Sequence, residues 1–187
     1  MNKSKYTLRI SLFFGLTSLL MLNLASAQVC LPDVTPQTMT PANFDFSISG
    51  EAKDNLSELI WARCVVGQTW NGINCVGAPK KLTWQEALLE AQTLNGSGDG
   101  WRVPDIKELN TIIDRQCAFP PVNLVIFPDT PTSQDNGLWS STPYIVEEDA
   151  KTNAWYMSLG FGQMNYRAVS TSNFVRFVKG FPKQPES

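Results

Sequence analysis

Four cysteines, Cys30, Cys64, Cys75 and Cys117, constrain this chain more than any other feature. All four lie beyond an N-terminal segment with the layout of an export leader. Lys3, Lys5 and Arg9 precede an apolar run from Ile10 to Leu22, and Ala25-Ser26-Ala27 supplies the small-x-small pattern of a cleavage site. The run is too short to span a bilayer, so residues 1–27 read as a signal peptide rather than an anchor, with no membrane span after cleavage. An even cysteine count in an exported protein reads as two disulfides. The segment from Cys64 to Cys75 contains Gly67, Asn71 and Gly72 and suits a hairpin whose ends come within bridging distance. Cys64 is therefore paired with Cys75. Cys30 is left for Cys117, tying an N-terminal arm to the domain body.

The 187-residue chain contains no histidine, which removes Ser-His-Asp and Cys-His nucleophiles and every His-ligated metal site. Without the leader, 12 basic residues face 17 acidic ones, a net charge of −5. Such a chain, with no basic patch interleaved with aromatics, is not expected to bind nucleic acid.

Residues 28–43 carry three prolines and read as an extended arm, and Phe44, Phe46 and Ile48 alternate as a first strand ended by Gly50. Leu59 to Val66 is a second strand run, followed by the cysteine hairpin. After Pro79 the period becomes helical. Trp84, Ala87, Leu88, Ala91 and Leu94 share one face, Thr83 and Glu86 form a capping box, and Asn95-Gly96 ends the helix. Asp105 and Glu108 repeat the capping spacing before a second helix with Ile106, Leu109, Ile112 and Ile113 inward. Residues 116–138, rich in proline and without periodicity, read as a long recognition loop. Four strand runs follow: 139–142, 154–161, 166–170 and 174–179, with an acidic loop at 146–151 after the first. Strands, two helices, a long loop and a closing antiparallel sheet make an α+β fold. An arm with the first strand spans 28–50 and a frayed tail 181–187, and the domain between them takes its bounds, 51–180, from a family resemblance.

Thr83-Trp84-Gln85-Glu86-Ala87, Gly100-Trp101-Arg102-Val103-Pro104-Asp105-Ile106-Lys107-Glu108-Leu109, Phe127-Pro128, Leu138-Trp139-Ser140-Ser141-Thr142, Ala154-Trp155 and Val175-Arg176-Phe177-Val178-Lys179 occur in that order. Together with Trp61 to Gly72 before Cys75, they resemble the Lcl C-terminal domain family. One departure is Ser57-Glu58-Leu59, where the family usually has a Thr-Gly-Leu turn before the tryptophan. The resemblance implies a variant of the C-type lectin-like fold. A weaker similarity, the helix followed by Gly-x-Arg-x-Pro and an acid-started helix, links the chain to formylglycine-generating-type enzymes. Fold alone does not assign activity.

At the motif positions, Trp61, Trp84, Trp101, Trp139 and Trp155 are expected in the core, with Pro104, Ser140, Ser141 and Arg176 as structural companions. Trp70, in the hairpin loop, is the tryptophan placed for recognition. Arg102 and Glu108 are read as an ion pair linking strand and helix. Asp129, Asp135, Asn136 and Glu147 gather oxygen atoms in two loops and are the candidate ligand-binding side chains beside Trp70. Calcium is the alternative use of such oxygens, but the Glu-Pro-Asn, Gln-Pro-Asp and Trp-Asn-Asp triplets of calcium-dependent sugar binding are absent, so no cofactor is expected. The expected function is an exported, non-enzymatic adhesion-type module, in the periplasm or at the cell surface, recognising a glycan, a peptide or an envelope protein. An enzyme of the formylglycine-generating type is the alternative. The acidic charge predicts weak or no binding to sulfated glycosaminoglycans, although the adhesin that names the family binds them.

Overall fold

A computed structural model describes residues 28–96, 98–145 and 152–181; the leader, Glu147 with its acidic loop and nearly all of the tail lie outside the described residues. The arm is not wholly irregular. Val29–Cys30 (β1) pairs with Cys117–Ala118, and the Cys30–Cys117 disulfide joins facing residues. After a short 3-10 turn, Phe44–Asp45 (β2) is all that forms of the expected first strand. Phe46 and Ile48 lie on an exposed link to Glu51–Asp54 (β3): Phe44 packs against the core, whereas Phe46 only stacks on Phe44 from the surface. Ile60–Ala62 (β4) pairs with β3 through a turn organised by the side chain of Asp54. That carboxylate accepts from the N–H of Leu56 at 3.0 Å and the hydroxyl of Ser57 at 2.6 Å. Glu58, in that turn, takes a left-handed backbone, φ 63°.

The cysteine hairpin forms as expected: Thr69–Trp70 (β5) pairs with Cys75–Val76 (β6), and a disulfide joins Cys64 to Cys75. Trp84–Asn95 (α1) opens on the Thr83–Glu86 capping box and buries Ala87 and Ala91. Its last apolar residue, Leu94, expected inward, is 39% exposed and borders a surface cleft instead. Ile106–Thr111 (α2) opens on the Asp105–Glu108 box and buries Leu109, with Ile112 and Ile113 buried just beyond it.

Cys117–Ala118 (β7) begins the proline-rich segment. The rest of that segment is the expected loop, but it inserts Val122, Ile126, Phe127 and Thr130 into the protein. Thr130 donates to the carbonyl of Phe127 at 2.7 Å, one way in which non-periodic chain satisfies buried polar groups. Gly137–Pro143 (β8), Asn153–Ser158 (β9) and Met164–Ala168 (β10) form an antiparallel sheet in the order β10-β9-β8.

The last expected strand is shorter and belongs elsewhere. Only Val178–Lys179 (β11) forms a ladder, and it pairs with β4, giving a second antiparallel sheet in the order β11-β4-β3-β2. Residues 173–175 cross between the sheets through isolated bridges and single hydrogen bonds to Leu82, Val66 and Leu138–Trp139. The fold is therefore α+β, with two helices, antiparallel sheets and two disulfides. Trp61, Leu109, Phe127 and Met157 centre one apolar cluster, and Trp139, Ala87, Val103 and Val175 another.

Candidate functional site

The hairpin, the end of α1 and the turn after it enclose a cleft of about 390 Å3. Trp70 and Thr69 of β5 and Gln68 line it from the hairpin, Glu90 and Leu94 from α1, Asp99 and Trp101 from the glycine-rich turn, and Phe177 from the segment entering β11. The local sequence explains why these side chains meet. Gly67 holds φ 91°, and a Cβ there would lie 2.6 Å from the carbonyl oxygen of Ala78, so only glycine lets the two limbs of the hairpin approach this closely. Trp70 packs on Gly50, where a Cβ would lie 3.2 Å from its own Cβ. Glu90 and Leu94 stand one turn apart on α1 and so share a face.

Both cleft tryptophans are held by cations that are not among the cleft-lining residues. The Arg63 guanidinium lies 4.0 Å from the Trp70 ring centre, and its own nitrogens donate to the carbonyls of Ile126 at 2.9 Å and Val125 at 2.7 Å. The Lys179 ammonium lies 4.6 Å from the Trp101 ring centre and pairs with Glu51 at 2.6 Å. Gln68 donates to the carbonyl of Asp129 at 3.2 Å, while its amide oxygen is buried without a partner.

Beneath this wall lies Arg176, fully buried. It donates to the carbonyls of Ala62 at 2.7 Å and Arg63 at 2.5 Å and to the hydroxyl of Thr130 at 2.8 Å, with its guanidinium 4.4 Å from the Phe127 ring centre. Burial, and then the charge of Arg63, push its pKa down to about 9. Its role is to fasten the exit of β4 to the inserted proline-rich segment.

The described candidates, Trp70, Asp129, Asp135 and Asn136, do not converge on one place, and Glu147 lies outside the described residues. Trp70 lines the cleft, as a recognition residue would. Asp129 is tied to the hairpin instead: its carboxylate accepts the N–H of Cys75 at 2.9 Å, and its backbone is left-handed, φ 53°. Asn136 bonds Ser133 at 2.9 Å, and the carbonyl of Asp135 accepts from Arg167 at the β9–β10 end. Among the described residues, no group of three or more Cys, Asp or Glu side chains is placed to hold a metal ion.

The tryptophans expected in the core divide. Trp61 and Trp139 are fully buried, and Trp139 donates to the carbonyl of Leu82 at 2.8 Å. Trp84 is half-buried and donates to the carbonyl of Ser140 at 2.7 Å, while the Ser140 hydroxyl donates to the carbonyl of Trp155. Trp101 lies in no strand and borders the cleft. Trp155 packs edge-on against Tyr144 and Tyr166, whose rings stack 3.7 Å apart on the outer face of the sheet. Pro104 is buried, and its carbonyl accepts the N–H of Ser141 at 2.8 Å.

Gln68, Glu90, Asp99 and Phe177 were not candidates from the sequence. Only the Gly98-Asp99-Gly100 turn directly before Trp101 offered a signal, as a polar residue carried on flexible backbone next to an aromatic one.

Against known proteins, the model of the Lcl C-terminal domain matches residues 50–179. The chain belongs to the Lcl C-terminal domain family. The matched region takes in the cleft, both helices and both sheets apart from β2. No curated protein and no solved structure matches the chain.

Proposed function

We propose that this Lcl C-terminal domain protein is an exported, non-enzymatic binding module of the periplasm or cell surface, and that it takes a glycan, a peptide or an envelope protein into the cleft between the cysteine hairpin and α1. The observation that carries this reading is the pairing of Trp70 and Trp101 on the walls of one open cleft with Gln68, Glu90 and Asp99 at hand. Small-ligand sites combine apolar walls with a few placed polar groups in this way. Two disulfides suit an oxidising compartment. They also take up all four cysteines, which leaves a thiol mechanism of the formylglycine-generating kind without its nucleophile.

The proposal moves recognition away from the proline-rich segment, whose Val122, Ile126 and Phe127 are committed to the core. Capture on arrays of glycans, peptides and envelope proteins tests it, with the mature protein and its Trp70→Ala variant. The reading predicts a captured class that the variant loses while its melting temperature stays within a few degrees. Equal capture by both proteins would overturn it.

A further inference from the structure

We infer that the cleft is built for an uncharged saccharide; the inference rests on the cleft being the binding site. Its volume of about 390 Å3 falls within the range of small-molecule sites, about 300–1,000 Å3. A sugar ring presents a flat patch of C–H bonds bordered by hydroxyls. Trp70 and Trp101 supply surfaces for the patch, and the Gln68 amide with the Glu90 and Asp99 carboxylates supplies partners for the hydroxyls. The buried amide oxygen of Gln68 has no partner in the protein and suits a hydroxyl donor.

Charge selects against the other small-ligand classes. Glu90 and Asp99 line the cleft, while the nearest cations, Arg63 and Lys179, stand against the indoles and are bound elsewhere, Arg63 to the Val125 and Ile126 carbonyls and Lys179 to Glu51, so an anionic or sulfated sugar meets the two carboxylates first. A cationic ligand would use the negative faces of the two indoles, but each ring already serves a cation: Arg63 over Trp70 at 4.0 Å, Lys179 over Trp101 at 4.6 Å. A cation on one face draws down the electron density available to a second. Stacking of C–H bonds relies on contact area and dispersion and survives that loss.

The test is a titration of the mature protein with three probe sets: neutral oligosaccharides (β-1,4-linked glucose, β-1,4-linked N-acetylglucosamine and α-linked mannose), heparin fragments, and glucosamine oligomers carrying free amines. Three variants accompany it. Trp70→Ala removes a stacking surface, Thr69→Arg fills the exposed β5 edge of the cleft without touching the core, and the pair Glu90→Gln with Asp99→Asn removes charge but keeps hydrogen bonding. The inference predicts binding of a neutral set, weakened about tenfold or more by Trp70→Ala and by Thr69→Arg. It also predicts a change of less than about fivefold in the charge-neutral double variant and little dependence on salt. Heparin or amine probes binding best, with loss in Trp70→Ala, would sink the inference of an uncharged ligand and leave the cleft standing; no binding by any neutral probe would also sink that inference. A neutral probe that binds all three variants as it binds the parent would sink the cleft itself.

Discussion

The guanidinium of Arg102 and the carboxylate of Glu108 meet in a two-pronged pair, at 2.7 and 2.6 Å, and Arg102 also donates to the carbonyl of Gly180 at 2.7 Å. The same carboxylate accepts the N–H of Asp105 at 2.8 Å and so closes the cap of α2. One side chain thus joins a helix start to the bridge that Arg102 makes with Val178 in β11. Hydrogen bonding to Glu108 raises the Arg102 pKa, against the opposing effect of burial. Glu108→Ala breaks both the pair and the cap. Because Arg102 is partly exposed, the expected loss is about 2–3 kcal/mol, below that of a fully buried pair. Denaturant unfolding measures it, and a loss under about 0.5 kcal/mol would contradict the structural role.

Glu58 occupies a backbone conformation that costs a non-glycine residue about 1–2 kcal/mol. The side chain is exposed, so replacing it gives up no packing. Glu58→Gly is expected to raise stability by about 0.5–1 kcal/mol, the strain relieved less the extra entropy of the unfolded glycine. Thermal and denaturant unfolding read the change, and a destabilised variant would mean that the carboxylate makes a contact worth more than the strain.

The capping box of α1 makes a pH prediction. Hydrogen bonds from the Thr83 backbone N–H and then its hydroxyl, with Lys80 adding less, hold the Glu86 pKa below its ordinary value of 4.5. A carboxylate with a depressed folded pKa adds stability above its unfolded pKa and loses it as pH falls through the folded one. Stability from this group should therefore fade below about pH 4.5. Glu86→Gln keeps the box but cannot titrate, so its urea midpoint should fall less steeply between about pH 5 and pH 3 than the parent's. Identical slopes would show that Glu86 contributes nothing to the acid limb.

Asp129 separates a ligand contact from a hairpin anchor. Its carboxylate holds the Cys75 N–H, so Asp129→Ala is expected to cost about 1 kcal/mol and to weaken ligand capture only through the loosened hairpin. Asp129→Asn keeps an acceptor and should restore both. If Asp129→Ala instead leaves stability intact and abolishes capture, the residue contacts ligand directly.

Local chemistry was the most legible part of this chain. Thr83 with Glu86 and Asp105 with Glu108 declare helix starts, and Cys64 with Cys75 declares a hairpin, because each depends on residues close in sequence. The strands expected at 44–48 and 174–179 shorten to Phe44–Asp45 and Val178–Lys179, since alternation cannot say whether an edge will find a partner. The proline-rich segment carries no period, and its burial follows from long-range ties such as Arg176 to Thr130, which no local pattern records. The cleft lay beyond reach for the same reason: Trp70 and Trp101 are 31 positions apart and are brought to one cavity only by the hairpin fold and the exit of α1.

The indole N–H signals of the six tryptophans, followed by NMR as the neutral oligosaccharide sets are added, test the central claim most directly. The account predicts that the signals of Trp70 and Trp101 move together and saturably, while those of buried Trp61 and Trp139 stay in place. Movement confined to Trp155, on the outer face with Tyr144 and Tyr166, or no movement of Trp70 and Trp101 at saturation, would contradict it.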